Sequence, residues 1–371
     1  MTCFSMAKGW VPIFVVFSVS VILVQPLPTG SIQGNQYVEI DRSFRDELAR
    51  HSIYSSVAYC AKLSEDKCWP DDRVELGPID FDTCCPQKPA DLVVTSHFKS
   101  TLHGLYGYIG YSNLHKEVVF AFKGTDADMS VLTDVLRLQV EYPYPELPES
   151  WLKELKLVRE TLIIGGVEVH SGFLLAFKKV QSVAFRRLEE LALKLGSEGN
   201  DYKLIIAGHS MGGAVATIAA MELKRLYINP KLNSELPSVK SLIPRSNIFL
   251  HTYGAPRSGS KDFAYLVYNT FKDSSPSVNI ARVTNYKDPV VGSNPKKLNS
   301  MHNPKEIYLN EKGLAVYCHD VNGIALAEDP NCNIGTVSDP LRDTIKGLSK
   351  LNETLIIPHQ IAEYTRILSV P

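Results

Sequence analysis

Leu204-Ile-Ile-Ala-Gly-His-Ser-Met-Gly-Gly213, followed by Ala214-Val-Ala-Thr-Ile-Ala-Ala220, decides how this chain is read. The first four residues are apolar and suit a buried strand, and the alanine-rich run suits a helix. Between them, Gly208-x-Ser210-x-Gly212 has the spacing of a strand–turn–helix elbow that lifts a serine to the apex of a sharp turn. Such a turn needs small residues two before and two after the serine, a need that Gly208 and Gly212 meet. Ala214, Ala216, Ala219 and Ala220 let the following helix lie close to a sheet. The helix starts just behind Ser210, so its free N–H groups favour negative charge developing there.

Strand candidates flank this segment. Gly104–Tyr111 and Glu117–Phe122, joined by Ser112–Lys116, read as a hairpin, and 203–207, 247–252 and 278–283 read as single strands. Helices are expected over 41–60, over 173–195 (apolar residues every three or four positions), after Ser210, and over 261–271. Strands alternating with helices imply a mostly parallel central sheet covered by helices on both faces, with the hairpin extending it in antiparallel fashion. That is the architecture of an α/β-hydrolase. Residues 142–149, 229–244 and 318–350 read as surface insertions, and 306–309 as an edge strand.

The chain has 371 residues, 44% of them hydrophobic, enough for one large core. Its formal charge of −1 excludes a broad positive field for nucleic acid. Lys8 precedes sixteen uncharged residues, Gly9 to Val24, and then Gln25-Pro-Leu-Pro28. That length suits a secretory signal over residues 1–30 better than a membrane span, which needs about 20 apolar residues. The alternative is an anchor that keeps residues 9–24. A single domain over 31–371 would follow in an oxidising compartment. Cysteine usage agrees: with Cys3 in the leader, Cys60, Cys68, Cys84, Cys85, Cys318 and Cys332 form an even set. Cys318 is expected to pair with Cys332, and Cys60 and Cys68 with Cys84 and Cys85. No C-x-x-C or paired-histidine spacing points to a metal, and no cofactor is expected. Asn352-Glu-Thr354 is the one N-glycosylation acceptor.

A serine hydroxyl needs a base to take its proton, and the base needs a partner to fix its tautomer. In this architecture the acid and then the histidine follow the serine along the chain. The histidines after Ser210 are His251, His302, His319 and His359; the acids include Asp262, Asp273, Asp288, Asp320, Asp329, Asp339 and Asp343. Asp288 follows the strand at 278–283 by a few residues, where catalytic groups of open parallel sheets collect. His251 lies in an apolar strand and reads as a core histidine, and His209 as packing at the elbow. His359 lies near the C-terminus, outside any strand.

Several segments, taken in order, resemble the fungal class 3 lipases, the Rhizomucor-type triacylglycerol lipases and related feruloyl esterases. They are Ser55-Ser-Val-Ala-Tyr-Cys60, Phe120-Ala-Phe-Lys-Gly-Thr125, Val169-His-Ser-Gly-Phe173, Gly208–Gly212, Tyr253-Gly-Ala-Pro-Arg-Ser-Gly259, Arg282-Val-Thr-Asn-Tyr-Lys-Asp288, and His359 with Tyr364 downstream. The resemblance covers about residues 54 to 365. It implies Ser210 as nucleophile, Asp288 as acid and His359 as base, with an oxyanion hole from Thr125 and the N–H of Met211. It also implies a structural role for His170 near the pocket, and a lid over 126–138 whose Met129, Leu132, Val135 and Leu136 fall at helical spacing. The function it implies is that of a secreted triacylglycerol lipase acting on acylglycerols at a lipid–water interface. A feruloyl-type esterase, a phospholipase A1 and an inactive lipid-binding homologue are the rivals. The chain departs from the family in Lys123, where arginine is usual, and in lacking a tryptophan in 126–138. It also has no cysteine after Cys332 to tie the C-terminus back to the Tyr-Cys near the start. The segment carrying His359 is therefore expected to be less firmly fastened.

Overall fold

In the computed structural model the described residues are 37–60, 85, 88–100, 105–125, 139–142, 167–196, 202–232, 234–271, 279–292, 299–318, 328–333 and 360–370. The chain divides into Met1–Gln36 and Tyr37–Pro371, and every described residue belongs to the second. The apolar run at 9–24, the expected lid at 126–138, Cys68, Cys84, His319 and His359 lie outside the described residues. Among the described residues no helix is long and apolar enough to cross a membrane.

The strands, in chain order, are β1 (Leu92–Ser100), β2 (Leu105–Ser112), β3 (Glu117–Phe122), β4 (Gln139–Glu141), β5 (Glu168–His170), β6 (Lys203–His209), β7 (Ile248–Tyr253), β8 (Gly259–Ser260), β9 (Ile280–Asn285), β10 (Ser300–Met301), β11 (Glu306–Leu309) and β12 (Ala315–Tyr317). The helices are α1 (Arg42–Val57), α2 (Ser171–Gly196), α3 (Met211–Ile228), α4 (Pro237–Leu242), α5 (Lys261–Phe271) and α6 (Ile361–Leu368). An eight-stranded sheet runs β1-β2-β3-β6-β7-β9-β11-β12. Its centre, from β3 through β6, β7 and β9 to β11, is parallel, and the hairpins at either end are antiparallel. A smaller sheet, β10-β8-β5-β4, was not foreseen from the sequence; its strands are only two or three residues long and carry no periodic signal.

Successive residues of the central strands enter opposite cores, as the two-residue period of a strand requires. Val118, Phe120 and Phe122 of β3, with Leu204 and Ile206 of β6, pack with Phe173, Phe177 and Val180 of α2, Val215 and Ile218 of α3 and Leu266 of α5. Val119 and Ala121, with Ile205 and Ala207, face Tyr54 and Val57 of α1. Further along the same sheet, Tyr253, Ala281, Val283 and Ile307 pack with Leu48 of α1 and with Tyr364, Ile367 and Leu368 of α6. Disulfides join Cys318 to Cys332, the expected pair, and Cys60 to Cys85.

One expectation is corrected, and one strand was not foreseen. Residues 229–244 are no mere surface insertion: α4 buries Val239 and Leu242, and the Glu189 carboxylate on α2 accepts the N–H groups of Ser238 (2.7 Å) and Val239 (3.0 Å). The side chain from another helix supplies the acceptor that a helix N-terminus lacks. β1 escapes a periodic reading because its register slips between Val94 and Ser96, and because His97 and Lys99 are buried within it.

Candidate active site

β6 delivers Ser210 at its carboxyl end, and α3 begins at the next residue. Ser210 has φ 57° and ψ −132°, a backbone conformation that L residues adopt only when their surroundings impose it. Its N–H donates to Tyr253 O (2.9 Å), and its C=O accepts from Gly213 N–H (2.9 Å). A Cβ on Gly208 would lie 2.3 Å from Gly212 O, and one on Gly212 would lie 2.3 Å from Phe122 O. Both obstacles are backbone, so neither can swing aside. Ser210 itself is 2% exposed.

Asp288 follows β9, reached through Lys287 at φ 60°, and is fully buried. One carboxylate oxygen accepts the N–H of Val290 (2.9 Å) and the other accepts the Tyr364 hydroxyl (2.5 Å). Burial, and then the charge of Asp288, push the Tyr364 phenol well above its ordinary value, so it remains a donor. The Tyr364 ring also meets His209 edge-on, with centroids 6.0 Å apart. One side chain of α6 therefore touches both the residue before Ser210 and the carboxylate of Asp288.

His359 is outside the described residues, but the chain resumes at Gln360, the residue capping α6. The expectation of a loosely fastened segment around His359 falls outside the described residues, but the helix that follows it is well held. Arg45 on α1 donates to Leu368 O (3.2 Å) and Ile367 O (2.8 Å), carbonyls that a helix C-terminus leaves without intrahelical partners. Ser52 and Thr365 share a hydrogen bond (2.9 Å), and Leu368 is 1% exposed. Hydrogen bonds and burial hold α6 without a cysteine.

Thr125 lies three residues beyond β3 and directs its hydroxyl to the Met211 sulfur at 3.5 Å. Gly124 is wedged against the elbow: a Cβ there would lie 2.7 Å from His209 O and 2.8 Å from the Ser210 Cβ. Tyr59 touches both sides of this junction, its hydroxyl accepting Gly124 N–H (3.1 Å) and meeting His209 Nδ1 (2.7 Å). Sequence reasoning gave Tyr59 no role beyond a family marker; its place beside a disulfide cysteine was the one available signal. Lys123, the departure from the family's arginine, is buried with its ammonium 4.5 Å from the centroid of the Tyr106 ring.

Among the other described histidines, His170, His302 and the His51–His251 pair are held by local contacts. His170 is 2% exposed, accepts Gly172 N–H at Nδ1 (3.2 Å) and packs on Phe173. His302 bonds Val291 O through Nε2 (2.7 Å), and burial, reinforced by Arg282, holds it well below the ordinary histidine range. His251 is a core histidine, its Nδ1 2.7 Å from His51 Nδ1. Glu47 stands close to that pair, which raises the question of a metal. Two nitrogens on one tetrahedral zinc lie about 3.3 Å apart, so this separation fits a shared proton better. Glu306, Cys318 and Cys332 also approach one another, but both sulfurs are in the disulfide.

A strained serine between a parallel strand and a helix, with a buried carboxylate on the loop after a later strand, defines an α/β-hydrolase. Comparisons with known proteins narrow this. Residues 119–297 match the profile of the family described as Lipase (class 3). A lipase of Rhizopus niveus is 27% identical over 237 residues, 64% of this chain and 48% of that protein. Secreted mono- and diacylglycerol lipase 2 of Gibberella zeae is 28% identical over 223 residues, 59% of this chain and 49% of that protein. Among solved structures, lipase II from Rhizopus niveus superposes with a TM-score of 0.56 at 22% identity, over 81% of this chain and 92% of that one. The mono- and diacylglycerol lipase from Aspergillus oryzae gives 0.54 at 21% identity, over 86% and 98%. Over residues 119–297 the chain is therefore similar to the class 3 lipases. It spans about half the length of the curated relatives it matches.

Proposed function

We propose that this chain is a secreted carboxylic ester hydrolase, a lipase acting on acylglycerols at a lipid–water interface through an acyl-enzyme on Ser210. The observation that carries the reading is the strained Ser210 backbone, φ 57°, at the head of α3. That conformation costs free energy and persists where the surroundings impose it, commonly at a reacting group.

In the proposed mechanism His359 takes the proton from Ser210 Oγ as that oxygen bonds to the ester carbonyl carbon. The carbonyl π electrons move onto oxygen, and the N–H groups of Thr125 and Met211 receive the resulting oxyanion. Each such donor typically lowers the barrier by about 3 kcal/mol. Asp288, held by Val290 and Tyr364, keeps the imidazole in the required tautomer. Collapse expels the alcohol, which takes the proton from His359, and water, deprotonated by the same base, then releases the fatty acid. Side chains, backbone N–H groups and water carry each of these steps.

Acylglycerols are favoured as substrate by the names of the relatives, which include lipases and mono- and diacylglycerol lipases. Secretion is supported by the leader-like run at 9–24, by the two disulfides and by a relative named as secreted. Ser210→Ala should abolish both ester turnover and labelling by a fluorophosphonate probe. Rates across triglyceride, phospholipid and feruloyl esters then choose among lipase, phospholipase A1 and feruloyl esterase. A correctly folded wild type that turns over none of them would make the chain a non-catalytic homologue. Sequencing the N-terminus of the mature protein tests the leader against the anchor.

A further inference from the structure

The two donors of the proposed oxyanion site come from different parts of the chain, and something must fix their separation. The ladder between β3 and β6 ends at Phe122 opposite Gly208. The next N–H, that of Lys123, turns away to Tyr106 O on β2 (2.8 Å). Gly124 and Thr125 therefore run past the elbow beyond the last β3–β6 pair. A donor misplaced by 1 Å can cost on the order of a hundredfold in rate.

Resting on the serine-hydrolase reading above, we propose that Tyr59 is the positioning residue of the oxyanion site, its hydroxyl clasping the Gly124 strand end to the elbow at His209. The hydroxyl accepts Gly124 N–H at 3.1 Å, leaving its own proton for His209 Nδ1 at 2.7 Å. Gly124 immediately precedes Thr125, and His209 stands two residues before Met211, so one oxygen atom links the two donor-bearing segments. The fit is close: a Cβ on Gly124 would lie 2.3 Å from that oxygen. The clasp is anchored from outside the sheet. Tyr59 N–H bonds Ser56 O (3.0 Å) in the turn ending α1, and the next residue, Cys60, is tied to Cys85. This gives the Tyr-Cys pair a purpose: the disulfide holds the residue that holds the site.

The test uses the full chain, with p-nitrophenyl butyrate kept below its solubility as substrate and an alkylboronic acid as a mimic of the tetrahedral state. Tyr59→Phe removes one oxygen and should lower kcat about 10- to 100-fold with KM within about threefold, while the boronate inhibition constant rises in parallel with the loss in kcat/KM. A purely structural role would shift the unfolding midpoint without that parallel. His209→Asn, which keeps an acceptor in place of Nδ1, should retain most of the activity that His209→Ala loses. Adding His209→Ala to Tyr59→Phe should cost little more, because both break the same link. If Tyr59→Phe does not fold, the Asn and Ala variants at 209 carry the test alone. Unchanged kcat and boronate affinity in Tyr59→Phe, with Ser210→Ala inactive, overturn the clasp and leave the hydrolase reading standing. A Ser210→Ala variant as active as wild type would instead remove the reading beneath it.

Discussion

Gly212 shows how a single hydrogen atom in place of a methyl can decide a site. A methyl there would lie 2.3 Å from Phe122 O and 2.6 Å from Lys123 O, so the end of β3 and the head of α3 would have to part. Gly212→Ala is expected to destabilise the protein by about 1–3 kcal/mol, as overpacking does, and to lose fluorophosphonate labelling because Ser210 is displaced. Urea unfolding and probe labelling measure the two effects; an unchanged midpoint with full labelling would mean the junction is looser than the structure has it. At this scale the elbow was legible, because its signature is local and written in two glycines, each two residues from the serine. What surrounds Asp288 was not. Tyr364 stands 76 positions further on, and nothing in its neighbours announces that its hydroxyl would meet that carboxylate.

Among whole elements, α6 depends most on contacts far away in sequence. Eight residues are too few for a helix to hold by itself in water, yet this one carries Tyr364 and begins two residues after His359. Arg45, 9% exposed, supplies the missing C-terminal hydrogen bonds. Arg45→Met keeps the aliphatic stem and removes the donors, so it should cost about 1–3 kcal/mol and speed amide exchange selectively over 361–368. Hydrogen exchange at residue resolution reads this directly, and unaltered protection of α6 would refute its anchoring by Arg45. Long amphipathic elements such as α2 were readable from periodicity alone. α1 was readable as a helix but not in its packing, since its buried face includes His51, Ser52 and Ser55 beside Leu48 and Val57. His51 and Ser52 face inward because partners on β3, β7 and α6 await them, which no local pattern encodes, while Ser55 donates back to His51 O.

Across the molecule, the helix layer formed by α1 is held at two places. At one end the disulfide from Cys60 closes a loop with a sequence separation of 25. Replacing both Cys60 and Cys85 by serine should cost about 3.5 kcal/mol by the loop-closure relation. It should also lower kcat through Tyr59, a coupling that thermal unfolding and kinetics on one sample can separate. Further back along α1 stands Glu117, the first residue of β3 and 1% exposed. Its carboxylate receives Arg50 (2.7 and 3.2 Å), His51 (3.2 Å) and Tyr54 (2.9 Å), all from α1, and His51 continues to His251 on β7 (2.7 Å). Burial acts to raise the Glu117 carboxyl, but the hydrogen bonds and charges of His51 and Arg50 outweigh it and hold the group well below the ordinary carboxylate range. A carboxyl depressed in the folded state stabilises it at pH above the unfolded value, about 4.3 for glutamate, and loses that contribution as pH falls further toward the folded value. Glu117→Gln cannot titrate. Wild type should therefore exceed the variant in stability by a constant margin of about 1–3 kcal/mol above pH 5, and the margin should close steadily below about pH 4. Urea midpoints from pH 7 down to 2.5 would show it. A margin that stayed level to the acid end would mean that the contacts of Glu117 do not depend on its charge.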